Sequence, residues 1–199
     1  MEYKDAHLTK KEILISRGII KEDDAENILH QTKLPRGFTL NLCGHCTYKC
    51  AYCPQSLESY PVEFIREEIV HKVFNELGNN AVYVQMGSRG ENLLHPRFFE
   101  IIEFIKSKNE LSYICLNTNA FIIDDDMMVK MLSVLDHIVF SLQTMEPDLY
   151  KKMVNSNGFE GIVDRIISFE SKNGVGFRDA SKCSVFSLSR ELAFQAEVY

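Results

Sequence analysis

The 199-residue sequence predicts an α/β protein assembled from βα units around a parallel sheet. Five short β-rich runs recur along it, at Phe38–Cys43, Ala81–Met86, Ser112–Asn117, His137–Leu142 and Cys183–Leu188. Segments of helical periodicity lie between them. Parallel neighbours need crossovers of a dozen or more residues, which is the spacing these runs provide.

The chain opens with a helical preface over residues 1–36. Thr9 can cap a helix from Lys10 to Arg17 that Gly18 stops, Glu22 to Gln31 can form a second, and Pro35 closes the segment. Residues 37–199 form the main domain. Its first helix is expected over Glu63–Leu77, where Ile65, Ile69, Val73 and Leu77 share one face and Gly78 gives the stop. A second, Arg97–Lys108, presents Phe98, Ile101, Ile102 and Ile105, with Pro96 just outside it. A third starts where Asp124–Asp126 complement the positive end of the helix dipole, and a fourth runs from Phe159 to Lys172 before Asn173-Gly174. The pattern fits either an open doubly wound sheet or one curled toward a barrel. In both, functional groups belong on the loops leaving the carboxyl ends of the strands.

Composition excludes several classes. With 22 basic and 28 acidic residues the net charge is -6, and no Lys/Arg block favours nucleic acid or anionic lipid. No run approaches a membrane-spanning length and Met1–Glu12 lacks the apolar stretch of a signal peptide, so a cytoplasmic location is expected.

Chemistry concentrates after the first strand, in Cys43-Gly-His-Cys-Thr-Tyr-Lys-Cys-Ala-Tyr-Cys53, where Cys46, Cys50 and Cys53 follow a C-x3-C-x2-C spacing. Three thiolates on a four-iron cubane leave one iron open for a small-molecule ligand. Two rival readings exist. A structural zinc site would use knuckles separated by a dozen residues or more, which this loop lacks. Cys43-Gly-His-Cys46 also has the form of an exchange-active dithiol of a thiol-disulfide oxidoreductase, but Leu42 stands where an aromatic is usual. Cys115 and Cys183 alternate with apolar neighbours and read as small core residues.

This motif, in this place, resembles the radical S-adenosylmethionine (radical SAM) superfamily. The resemblance implies a partial TIM barrel with five strands present, a 4Fe-4S cluster on Cys46, Cys50 and Cys53, and Tyr52 near the adenine of S-adenosyl-L-methionine. The superfamily's G-G-E-P loop corresponds to the segment after the second strand, where Gly90 and Glu91 match, Arg89 replaces the first glycine and Asn92 the proline. Asn117-Thr-Asn119 after the third strand and Ser141-Leu-Gln143 after the fourth resemble further cofactor-binding segments. The implied activity is reductive cleavage of S-adenosylmethionine to a 5'-deoxyadenosyl radical that abstracts hydrogen from a substrate these motifs do not specify. A one-electron reductant such as a flavodoxin or ferredoxin is the implied partner. Superfamily barrels have six units, whereas only Arg190–Tyr199 follows the fifth strand, so a chain lacking its carboxyl-terminal end is expected.

Overall fold

The computed structural model describes residues 34–57, 62–173 and 183–186, with isolated positions at 12, 15, 21 and 22. The helices expected at Lys10–Arg17 and Glu22–Gln31 lie almost wholly outside the described residues.

Five strands build the sheet: β1 (Gly37–Leu40), β2 (Tyr83–Met86), β3 (Tyr113–Thr118), β4 (His137–Ser141) and β5 (Cys183–Phe186). Each pairs in parallel with the next, and spatial order follows chain order. A doubly wound sheet reverses direction at a switch point; this sheet does not, which makes it part of a TIM-type barrel. Register aligns the strand ends, with Leu40 beside Met86, Met86 beside Leu116 and Thr118 beside Phe140. The loops after β1, β2, β3 and β4 therefore emerge on one rim.

Among the described residues six α-helices accompany the strands: α1 (Pro54–Leu57), α2 (Glu67–Leu77), α3 (Phe98–Lys108), α4 (Asp125–Val134), α5 (Pro147–Val154) and α6 (Phe159–Asn173). Local chemistry fixes their ends. Asp124 caps α4 by accepting the Met127 N–H at 2.8 Å. Gly78, at φ +49°, closes α2 through its N–H to the Phe74 carbonyl.

Side chains alternate across the strands. Val84, Met86, Ile114, Leu116, Ile138 and Phe140 turn toward the helices and join Phe74, Ile101, Ile102 and Ile105 in the main core. At about 1.5–3 kcal/mol for each fully buried apolar side chain, this layer is the main source of stability. On the opposite face Tyr83, Tyr113, Cys115 and Val139 form a smaller cluster, which agrees with the core role expected of Cys115. That face is otherwise polar: Gln85 Nε2 donates to Asn117 Oδ1 at 2.9 Å, and the Tyr113 hydroxyl meets His137 Nδ1 at 3.2 Å.

Two differences from the sequence reading have physical reasons. The helix expected from Glu63 begins at Glu67, because residues 63–65 are extended. The Ile65 N–H donates to the Leu42 carbonyl at 2.8 Å, and Cys43 and Phe64 form an antiparallel bridge. Ile65 packs against the core from this strap, so its apolar spacing imitated a helix turn. Helix α5 is additional to the helices expected. It buries only Tyr150 and Val154, a pair too sparse to stand out as a periodic stripe.

Among the described residues no helix is long and apolar enough to cross a membrane.

Candidate functional site

The cysteine loop is anchored on both sides. Its amino-terminal arm is clamped by the strap: the Gly44 N–H donates to the Glu63 carbonyl at 2.9 Å. Its far arm is tied to α5, where the Ala51 N–H donates to the Met153 carbonyl at 2.8 Å. Tyr48 is buried beneath it, and its hydroxyl accepts from the Tyr150 hydroxyl at 3.0 Å. Cys53 then leads directly into α1.

Cys46, Cys50 and Cys53 are partly exposed free thiols, whereas Cys43 is only 3% exposed. Burial pushes the Cys46 and Cys50 thiols up. Each also feels a neighbouring sulfur, Cys50 acting on Cys46 and Cys53 on Cys50, so thiolates gathered here repel one another. A cation-bearing group would relieve that repulsion, and its binding would release protons. Among the described residues no three His, Cys, Asp or Glu side chains converge tightly enough to hold a single metal ion. One zinc needs its donors at about 2.0–2.3 Å from a common centre, whereas a cubane takes each thiolate on a different iron. Three free thiols in one loop are the donor set that a cubane takes, one on each of three irons.

The dithiol reading fares worse. Cys43 Sγ accepts the His45 N–H at 3.1 Å, yet desolvation dominates and raises its pKa, the wrong direction for an attacking thiolate.

The loop after β2 packs onto the cysteine loop backbone to backbone. Gly90 sits at φ +65°, and a Cβ there would collide with the Cys43 carbonyl oxygen. Its N–H donates to Gln55 Oε1 at 2.8 Å, and Gln55 Nε2 in turn reaches the Gly44 carbonyl. The Glu91 N–H donates to the His45 carbonyl at 2.6 Å. Arg89 is accommodated because its φ is not positive; Gly87, at φ +95°, makes the turn. Asn92, in the proline position, is buried and accepts the Leu42 N–H through Oδ1 at 2.7 Å.

Glu91 itself is 2% exposed. Oε2 accepts the Asn119 N–H at 2.9 Å and Oε1 the Leu93 N–H at 3.3 Å, while burial drives its pKa upward against these bonds. The Asn119 side chain continues the chain of contacts, with Nδ2 donating to Thr47 Oγ1 at 3.0 Å and to Cys46 Sγ at 3.6 Å. Glu91 and Asn119 thus link the loops after β1, β2 and β3.

The remaining candidates divide into two groups. Tyr52 is 46% exposed, and its hydroxyl lies near enough to Cys50 and Gln143 to feel both, so these two candidates meet beside the cysteines. Asn117 and Ser141 lie on the polar face of β3 and β4, where Asn117 is engaged by Gln85. Sequence reading missed Gln55 and the bond from Asn119 to Cys46, since nothing local to either residue marks a partner so far along the chain.

A family model described as the Radical SAM superfamily matches residues 40–174. The chain belongs to the radical SAM superfamily. Its superfamily relatives include a GTP 3',8-cyclase of Microcystis aeruginosa, 31% identical over 130 residues, covering 60% of this chain and 38% of the relative. A probable GTP 3',8-cyclase of Methanococcus maripaludis is 28% identical over 131 residues, covering 64% of this chain and 43% of the relative. The chain spans about two-fifths of the length of these curated relatives. Among solved structures, Streptococcus suis SuiB bound to S-adenosylmethionine superposes with a TM-score of 0.62 at 16% identity, covering 87% of this chain and 41% of that one. BtrN in complex with AdoMet and 2-DOIA gives 0.57 at 12% identity, covering 79% and 71%. These likenesses establish a shared fold. Radical SAM enzymes use a 4Fe-4S cluster and S-adenosylmethionine, the two cofactors the cysteine spacing and its resemblance imply.

Proposed function

We propose that this chain is the radical-generating module of a radical SAM enzyme, with a 4Fe-4S cluster held by Cys46, Cys50 and Cys53. The observation that carries the reading is the separation of one buried cysteine, Cys43, from three partly exposed ones in a loop at the carboxyl rim of the sheet. When bound, such a cluster would supply the electron for reductive cleavage of S-adenosylmethionine to methionine and a 5'-deoxyadenosyl radical.

The protein's contribution is positioning and shielding. Asn119 directs an N–H at the Cys46 sulfur, which fixes that ligand and favours the more negative, reduced state. Glu91 acts through Asn119 and the loop backbone, because its carboxylate is already consumed by N–H donors. Gly90 permits the close approach that brings the β2 loop over the cysteines. Tyr52 offers an exposed ring for the adenine beside Gln143, and Asn117 and Ser141, on the polar face of β3 and β4, would add polar groups for the cofactor. The electron comes from a low-potential flavodoxin or ferredoxin.

Anaerobic reconstitution followed by dithionite reduction tests the proposal: 5'-deoxyadenosine should form from S-adenosylmethionine. A protein that takes up only zinc and releases none overturns it. Because the curated relatives are named GTP 3',8-cyclases, GTP is the first substrate to add to that assay.

A further inference from the structure

A cleft of about 630 Å³ opens beside the cysteine loop, lined by Lys49, Ala51, Asp148, Lys151, Lys152 and Asn155. Lys49 and Ala51 are the residues on either side of Cys50, so the cleft reaches the backbone that would hold the cluster. The Ala51–Met153 hydrogen bond joins that backbone to α5, which carries Lys151 and Lys152. Three lysines thus face one carboxylate, on a chain whose net charge is -6. All three are exposed, and among the described residues none forms an ion pair.

We propose that this cleft is the docking face for an acidic one-electron carrier protein, an inference that rests on the cluster reading above. The net negative chain repels an acidic partner at long range, while a local basic surface steers it to one orientation. That orientation is the useful one, since it sets the carrier against the residues flanking Cys50. A small-anion site would be built from buried, converging donors, whereas these ammonium groups point to solvent. The carrier is oxidised by one electron and the cluster reduced by one; no bond forms or breaks at the face.

The test is calorimetric titration of the reconstituted protein with a flavodoxin and, separately, a ferredoxin, at about 50 mM and about 300 mM salt. Binding should weaken at the higher salt, and Lys151→Glu combined with Lys152→Glu should weaken it about tenfold or more, with Lys49→Glu adding to the loss. Iron content, thermal midpoint and dithionite-driven 5'-deoxyadenosine formation should match the parent. The inference is overturned if neither carrier binds, if the charge-reversed protein binds as the parent does, or if inorganic triphosphate alone is lost on charge reversal. Absence of iron and of 5'-deoxyadenosine in a parent that still binds carrier counts against the cluster reading and for the face.

Discussion

The Glu91 carboxylate accepts the backbone N–H of Asn119 at 2.9 Å inside the protein, joining the loops after β2 and β3 across 28 residues of sequence. Asn119 passes the connection to the Cys46 sulfur, so the geometry of that thiol depends on a buried carboxyl group one residue removed from it.

That charge makes stability depend on pH. The folded-state pKa of Glu91 is raised, so the folded protein holds this proton more tightly than the unfolded chain. Its contribution is most favourable below the ordinary glutamate value of about 4.3 and is lost as pH rises through the raised folded value. The urea midpoint of the parent should therefore fall relative to that of Glu91→Gln across this window. A parent midpoint that rises relative to the variant would contradict the burial argument.

Gly90 should tolerate no side chain. Gly90→Ala forces a Cβ toward the Cys43 carbonyl in left-handed backbone, and a loss of at least about 2 kcal/mol is expected in denaturant titrations. Gly161 is the matched control. It lies in α6 with nothing within 4 Å of a built Cβ, so Gly161→Ala should be neutral or stabilising by up to about 1 kcal/mol.

Removing the Asn119 donor should alter the cluster more than the fold. Asn119→Ala is expected to retain iron while lowering the midpoint potential by on the order of 20–60 mV, up to about 1.4 kcal/mol for one electron. Anaerobic redox titration monitored by electron paramagnetic resonance reads the shift directly; an unchanged potential would remove Asn119 from the site.

The Tyr150–Tyr48 hydrogen bond should couple α5 to the cysteine loop. Tyr150→Phe is expected to cost about 0.5–1.5 kcal/mol, and Tyr48→Phe made in addition should cost less than it does alone. Strict additivity in the double-mutant cycle would show that the two hydroxyls do not communicate.

What the sequence disclosed follows from the range of each interaction. The cysteine spacing is contiguous and needs no partner, so Cys46, Cys50 and Cys53 stood out at once. The helix stripe of Phe98, Ile101, Ile102 and Ile105 was equally legible, since all four residues are buried on one element. Ile65 misled because an extended residue can bury itself at a spacing that continues a helical face. Glu91 could be placed on its loop, but its burial arises from contacts with segments far away in the chain. The bond from Asn119 to Cys46 spans 73 residues and exists only once the register of β1, β2 and β3 is set.

The most direct measurement is the iron content of four single substitutions, Cys43→Ala, Cys46→Ala, Cys50→Ala and Cys53→Ala, after anaerobic reconstitution. Cys43→Ala should keep about four iron per chain, as the parent does, while each of the other three loses the cluster. Loss of iron on Cys43→Ala with retention on any of Cys46→Ala, Cys50→Ala or Cys53→Ala would contradict the assignment of the ligands.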